Sequence, residues 1–233
     1  MDNDQIIKLL KDFNQEEIKK RLNIRDEYGN TLLMYAVNLN KEHYNILLNK
    51  ENFDFLIDNT DIKNCNNYNE TVLMLVLKNN NINGTKINEE QIDKIINKSE
   101  VNKINDFGHN AFFYALVYNE TRLKLNINQW QKIVNQTKFK NKKLNRQSIY
   151  MHLSWFKNEA VATMILEKIY KDNPKMVEEL ELFLKRASKY NKTMLVSVLE
   201  RIKVRNQINN GVKISRKNKK NKINFLKIKK KKI

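Results

Sequence analysis

Short runs of hydrophobic residues alternate along this chain with polar, asparagine-rich stretches. Within most runs the apolar positions lie three and four residues apart, which puts them on one face of a helix. The run from Val72 to Leu77 is apolar throughout and suits a buried strand as well as a helix, but its place in the repeat described below favours a helix. The pattern predicts helices at residues 2–13, 14–22, 32–38, 41–49, 72–78, 159–170, 174–190 and 193–204, and two more that begin near 88 and after 128.

One motif, a turn followed by the start of a helix, recurs along the chain. Its turn position holds a residue that tolerates the left-handed backbone conformation, in order Gly29, Asn69, Gly108, Asn145 and Asn191. Two residues later comes the expected helix cap, which is Thr31, Thr71, Asn110, Gln147 or Thr193, and only Gln147 is a poor cap. The residue before the turn is large and apolar, in order Tyr28, Tyr68, Phe107, Leu144 and Tyr190. These fixed offsets predict a repeated structural unit.

The first copy resembles the ankyrin repeat, whose hallmark is Asp-x-x-Gly-x-Thr-Pro-Leu-His-x-Ala. The matching positions are Asp26, Gly29, Thr31, Leu33 and Ala36. Leu32 and Met34 stand where the hallmark has proline and histidine, and the copies are 40, 39, 37 and 46 residues apart, whereas the family period is about 33. The resemblance covers residues 1–205 and implies an all-α solenoid of stacked helix-turn-helix units with helical caps.

The resemblance predicts how the chain is divided. Residues 1–25 form an N-terminal helical cap, residues 26–172 four divergent ankyrin-like repeats, residues 173–205 a degenerate fifth repeat or a C-terminal cap, and residues 206–233 a basic, disordered tail. A cap is needed because an end repeat would otherwise expose its apolar face. Like charges with little apolar surface to bury favour disorder in the tail.

The composition limits the fold classes and the cellular compartments that are compatible with this chain. Four glycines and one proline are too few for the turns of a many-stranded β architecture. The single cysteine, Cys65, cannot form an intramolecular disulfide or a cysteine-based zinc site. The N-terminal residues lack the basic and then apolar pattern of a secretory signal, and no apolar run approaches transmembrane length. We expect a cytoplasmic protein, or an effector that an intracellular bacterium exports.

The sequence offers no constellation typical of an enzyme. The three histidines, His43, His109 and His152, fall in different copies and form no pair four residues apart, so a metal site is not expected. Four glycines could hardly build a phosphate or dinucleotide loop, and no cofactor is expected. His152 stands where the motif takes a small buried residue, and we expect it to pack in the core. The chain is therefore expected to be non-catalytic.

Protein binding is the function that the resemblance implies. Ankyrin proteins usually bind partners with their hairpin tips and with the exposed side of the inner helices. Carried onto this chain, the expected contact residues are Glu27, Tyr28, Asn30, Leu39, Tyr68, Glu70, Lys78, Phe107, His109, Tyr118, Arg146 and Trp155. The aromatic column of Tyr28, Tyr68 and Phe107 suits either partner contact or packing against neighbouring hairpins. The expected partner is another protein, bound by a monomer.

The C-terminal segment carries most of the net charge of +18. From Arg201 onward there are fourteen Lys and Arg residues and no Asp or Glu, which leaves +4 for the first 200 residues. The tail has three interpretations: a nucleic-acid or nuclear-import patch, a weak anchor to anionic membrane, or a solvated segment whose lysines reflect genome composition. The alternative to a protein-binding scaffold is thus a protein that associates with nucleic acid or acidic membrane through this tail.

Overall fold

The computed structural model describes residues 3–38, 48–79, 87–118, 124–186 and 193–208, and within them the chain is all-α, without β-strands. Two isolated antiparallel bridges join Arg25 to Thr31 and Cys65 to Thr71. None of the helices in these ranges is both long and apolar enough to cross a bilayer. The helices are α1 (Asn3–Lys11), α2 (Gln15–Arg21), α3 (Leu32–Asn38), α4 (Lys50–Asn59), α5 (Val72–Asn79), α6 (Glu89–Lys98), α7 (Ala111–Tyr118), α8 (Ile127–Gln136), α9 (Arg146–Trp155), α10 (Glu159–Asp172), α11 (Pro174–Arg186) and α12 (193–208).

Polar caps start the helices at the places that the motif predicts. The side chains of Thr31, Thr71 and Asn110 accept hydrogen bonds from backbone N–H groups three residues on, at 3.3, 3.3 and 3.1 Å. Asparagine caps other helices in the same way, at Asn14, Asn49, Asn88, Asn126, Asn145 and Asn158. These bonds satisfy N–H groups that the first turn of a helix leaves without a partner.

The helices pack as two rows. One row runs α3, α5, α7, α9 and α11, and the other runs α2, α4, α6, α8 and α10, with each helix in contact with the next of its row. Contacts between the rows join α3 to α4, α5 to α6, α7 to α8 and α10 to α11. The hydrophobic core lies between the rows, so the apolar helices of the first row are enclosed on several sides.

The core contains the apolar column that the motif predicts. The side chains of Leu33, Leu73, Phe112, Ile149 and Leu195 are fully buried. The column three residues further on, which holds Ala36, Val76, Ala115 and Val198, is buried as well. The remaining residue of this column, His152, is half-buried. The prediction that its side chain packs in the core is therefore only partly confirmed.

Asparagine explains two of the differences between the predicted and the observed helix boundaries. Asn49 was expected to end a helix, but its side chain accepts the N–H of Asn52 and begins α4, a helix that the pattern did not predict. The expected apolar positions Tyr44, Ile46 and Leu47 lie outside the described residues. Helix α8 begins earlier than expected, because Asn126 forms a reciprocal capping box with Gln129.

Helix α11 begins where the sequence predicts, and residues 193–208 are helical. Pro174 starts α11, as its fixed backbone angle favours, and Met176, Val177, Leu180 and Leu184 are buried. The expected end of this helix at residue 190 lies outside the described residues. Helix α12 extends to residue 208, four residues beyond the expected end, and residues 209–233 also lie outside the described part.

Candidate partner-binding surface

Three turns of the chain, residues 26–30, 66–70 and 105–109, have the same geometry. Each begins with Asp or Asn, whose backbone N–H donates to the carbonyl four residues on, at 2.9 to 3.1 Å. The side-chain oxygen of the same residue accepts the N–H groups two and four residues on. The fourth residue has positive φ, and it is Gly29 at 77°, Asn69 at 59° or Gly108 at 77°. The turn column is therefore confirmed in these three copies.

The fourth copy departs from this geometry. Asn145 has φ of −74° instead of a left-handed conformation, and its side chain caps α9 by accepting the N–H of Ser148. The predicted turn position is therefore wrong here, since this asparagine takes the capping role that Gln147 cannot fill. The fifth copy's turn, at Asn191, lies outside the described residues.

Backbone hydrogen bonds join each turn to the next. The N–H of Asn67 donates to the carbonyl of Tyr28 at 2.9 Å, and the N–H of Asp106 donates to the carbonyl of Tyr68 at 3.3 Å. In the same way the N–H of Asn145 donates to the carbonyl of Gly108 at 3.0 Å. The tips of successive turns are thereby held in register, and side chains at equivalent positions form a row.

An aromatic side chain stands exposed at the tip of each of the three turns. The exposed fractions of Tyr28, Tyr68 and Phe107 are 47%, 45% and 63%. Packing against neighbouring hairpins does not account for them, because each of the three residues is at least 45% exposed. Leu144, the next member of the column, is 5% exposed and packs in the core. We call Tyr28, Tyr68 and Phe107 the tip row.

A second group of rings adjoins the tip row on α7 and α9. His109 stacks on Phe113, with ring centroids 3.6 Å apart, and Phe107 lies 6.4 Å from His109. His152 contacts both Phe113 and Trp155 edge to face, at 5.7 and 5.3 Å. Trp155 is 43% exposed. We call His109, Phe113, His152 and Trp155 the imidazole–aromatic patch.

Both imidazoles of this patch are neutral at neutral pH. Burial lowers the pKa of His109, and the neighbouring His152 lowers it further. Burial alone lowers the pKa of His152. An uncharged imidazole beside aromatic rings gives the patch an apolar character with N–H groups able to form hydrogen bonds.

A chain of buried polar side chains lies beneath the tip row. Asn30 donates to Asp26 at 2.9 Å, and Asn66 donates to Asn30 at 3.1 Å. Glu70 accepts from the hydroxyl of Tyr114 at 3.1 Å, and Tyr114 in turn accepts from the Asn105 amide at 2.9 Å. Burial and then the Glu70 carboxylate raise the pKa of Tyr114, so its hydroxyl stays protonated and donates. Side chains of all three turns are thus joined below the surface.

Two of the expected contact residues belong to this buried chain. Asn30 and Glu70 are 8% and 6% exposed, so the prediction that they meet a partner is wrong. Each follows a residue with positive φ and points back beneath its turn, where it hydrogen-bonds to other buried groups. Their role is to hold the turns in position.

The other expected contact residues differ in accessibility. Glu27 is exposed beside Tyr28, and Tyr118 is half-buried against Tyr114, with ring centroids 6.2 Å apart. Lys78 lies 3.4 Å from Glu70, and Arg146 lies 3.2 Å from Glu179. Leu39 lies outside the described residues. The exposed members are therefore Glu27, the tip row and Trp155, and the half-buried His109 lies between Phe107 and Phe113.

Comparison of the chain with protein-family models, with curated proteins and with solved structures finds no match. Within the described ranges, no group of three or more His, Cys, Asp and Glu side chains could hold a metal ion. Sequence reasoning missed Asn66 and Asn105, although both stand three residues before the turn position, where the first copy has Asp26. It also missed Phe113, which is buried against both imidazoles, because an uninterrupted apolar run does not reveal which residue of a helix packs against a neighbouring turn.

Proposed function

We propose that this chain is an ankyrin-like repeat protein that binds another protein through the tip row and the imidazole–aromatic patch. The observation that carries the proposal is the tip row itself. Three aromatic rings stand exposed on successive turns, and backbone hydrogen bonds keep those turns in register. Aromatic side chains are enriched among the residues that dominate binding energy in protein interfaces.

Support for the repeat architecture comes from the two rows of helices and from the three equivalent turns. The turns are 40 and 39 residues apart, and each precedes a helix of the same row, α3, α5 or α7. A stack in which each unit contacts its neighbours presents an extended surface. The monomeric state and the cytoplasmic location expected from the sequence stay predictions.

The rigidity of the turns favours binding. Each tip is fixed by its own Asp or Asn hydrogen bonds and by a bond to the next turn. A surface that is already ordered loses little conformational entropy on association, so more of the contact energy appears as affinity. The partner surface that suits this face is apolar, since the rings carry no charge and the two imidazoles are neutral.

Capture from a lysate of the source cell tests the proposal. Tyr28→Ser, Tyr68→Ser and Phe107→Ser are combined in one full-length variant, and Ile127→Ser is the control. Ile127 is 49% exposed on α8, in the other row of helices, so its substitution removes an exposed apolar side chain of a different face. We expect the unmodified chain and the control to retain the same protein at high salt.

We expect the triple variant to lose that protein, because an aromatic hot spot at an interface centre contributes at least about 2 kcal/mol, or roughly thirtyfold in affinity. Equal retention by the triple variant would refute the proposal. So would a capture that disappears at high salt or in a chain that ends at residue 208, since the basic tail would then provide the affinity.

A further inference from the structure

We propose that the tip row binds a proline-rich segment of its partner, which lies along the three rings in the polyproline II conformation and has a basic residue at each end. This inference rests on the proposed function, because it specifies the kind of partner segment that the same surface takes. It follows from the spacing of the rings, from their chemistry and from the charge at the two ends of the row.

The members of the tip row have a short and regular spacing. The carbonyl of Tyr28 accepts the N–H of Asn67, the residue before Tyr68, at 2.9 Å, and standard bond lengths then put the two tyrosine Cα atoms at most about 10 Å apart. The hydrogen bond from Asp106 to Tyr68 sets a similar limit for Phe107. Each turn also precedes a helix of one packed row, and packed helices lie about 8–10 Å apart.

Polyproline II fits this spacing better than the other regular peptide conformations. It has three residues per turn, so every third residue lies on the same side, and these residues are about 9.3 Å apart. Residues on one side of a β-strand are only about 6.6 Å apart. A helix repeats at about 10.5 Å, between residues seven apart, but its carbonyl groups are used in its own hydrogen bonds.

The side chains of the tip row match the chemistry of a proline-rich segment. Each of the three residues is at least 45% exposed, so a proline ring can lie against each aromatic ring. Domains that recognise proline-rich segments use aromatic side chains in this way. Polyproline II has no internal hydrogen bonds, and the hydroxyls of Tyr28 and Tyr68 can donate to its free carbonyl groups.

A carboxylate stands at each end of the tip row. Glu27 precedes Tyr28, Asp106 precedes Phe107, and both acidic residues are exposed. The three turns contain four acidic residues and no Lys or Arg, although the whole chain has a net charge of +18. Lys or Arg at the ends of the bound segment would complement this local negative charge.

Arg25, which immediately precedes the first turn, already has partners. Its guanidinium donates to the carbonyls of Gly29 and Cys65, at 3.2 and 2.7 Å. These bonds tie the first turn to the backbone just before the second turn. Arg25 therefore holds the row together, and the exposed carboxylates supply the charge at its ends.

Fluorescence anisotropy of labelled peptides, titrated with the full-length chain, tests the proposal. The probe is a peptide of eight prolines with an arginine at each end. In one control peptide alternating glycine and serine replace the prolines, and in a second the arginines are replaced by serine. A third control is a helical peptide with leucine at every seventh position and an arginine at each end. Non-specific attraction works against the arginine peptides, because the chain is itself strongly basic.

Three variants are compared with the unmodified chain. They are the triple serine variant of the tip row, the control Ile127→Ser, and a charge variant that combines Glu27→Gln with Asp106→Asn. Asn at position 106 keeps an oxygen that can accept the hydrogen bond from the Asn69 amide. All the replaced side chains are exposed, so the variants should keep the thermal unfolding midpoint of the unmodified chain.

We expect the unmodified chain to bind the proline probe at least about tenfold more tightly than the glycine–serine peptide, and the triple variant to lose this binding. The Ile127→Ser control should bind the probe unchanged. Replacing the terminal arginines by serine should weaken binding to the unmodified chain roughly threefold, since exposed charge pairs contribute little. The charge variant should bind these two peptides with nearly the same affinity.

Equal affinity for the proline and the glycine–serine peptides would overturn the inference. Tighter binding of the helical peptide, or unchanged binding of the probe by the triple variant, would overturn it too. Equal binding of the arginine and serine forms by the unmodified chain would refute the basic ends of the segment.

The proposed function and this inference fail in different ways. If capture from lysate depends on the tip row but the proline probe does not bind, the partner docks in another conformation and only the inference is overturned. If no protein is captured through the tip row, the proposed function itself is wrong.

Discussion

Glu70 connects three turns of this molecule although it is one of the residues that a partner was expected to meet. Its carboxylate accepts from Tyr114, lies 3.5 Å from the Asn66 amide, and pairs with Lys78. A buried carboxylate is tolerated only when such donors surround it, because an unpaired charge in the core is costly. The tip row therefore depends on side chains that no partner touches.

Removing the Tyr114 hydroxyl should destabilise the protein. Tyr114→Phe leaves Glu70 and the Asn105 amide with one hydrogen bond fewer, and the expected loss is about 1–3 kcal/mol in the free energy of unfolding. Urea denaturation followed by circular dichroism measures it. The control is Tyr28→Phe, whose ring is exposed and whose loss should stay within about 0.5 kcal/mol. Equal effects of the two substitutions would contradict the structural role of the buried chain.

At the level of the element, the turn sets the backbone geometry ahead of α3, α5 and α7. Gly108 has φ of 77°, and a Cβ placed there would lie 3.0 Å from the carbonyl oxygen of Lys143. Asn69 occupies the same left-handed conformation, with φ of 59°, at the cost that any side chain adds there. Residues 69 and 108 thus differ in type, but both must adopt a positive φ angle.

Opposite substitutions at these positions should have opposite effects. Gly108→Ala should lower the free energy of unfolding by about 1–2 kcal/mol, because alanine is strained in the left-handed region. Asn69→Gly should leave it unchanged or raise it by less than about 1 kcal/mol, because glycine adopts that region freely. Thermal unfolding followed by circular dichroism compares the two. A stable Gly108→Ala protein would mean that the turn does not need positive φ.

The sequence predicted most elements because their signals are local. Thr31, Thr71 and Asn110 cap helices whose apolar positions repeat at helical spacing. A cap followed by that spacing favours a helix over any other local structure. The errors fall on asparagine, which caps helices, ends them and adopts the left-handed conformation equally well. Asn49 and Asn145 were therefore misinterpreted, and only the folded chain decides which of these roles each one takes.

The candidate surface was predicted less completely than the fold. The motif identified Tyr28, Tyr68 and Phe107 as tip residues, but it left open whether they pack or face solvent. Asn30 and Glu70 were misassigned because the direction of a side chain after a positive-φ residue depends on the neighbouring turn. Each also has a partner from another copy of the motif, which is Asn66 for Asn30 and Tyr114 of α7 for Glu70, and a single sequence does not reveal such pairings.

At the scale of the whole molecule, the exposed apolar groups are divided between two regions. The tip row and the imidazole–aromatic patch belong to turns and helices of the α3 to α9 row. The other exposed aliphatic side chains near the C-terminus, Leu182, Val196, Val204 and Ile208, belong to α11 and α12. The proposed protein binding uses only the first region, and because its contacts are apolar we expect it to weaken little as the salt concentration rises.

Photo-crosslinking at the tip row shows whether these side chains contact a partner protein. A benzophenone-bearing phenylalanine replaces Phe107 in one full-length chain and Ile127 in another, and both are irradiated in lysate of the source cell at high salt. We predict a conjugate with one dominant protein from position 107 and none from position 127. Equal conjugates from both positions, or none from position 107, would contradict the claim that the tip row is the partner-binding surface.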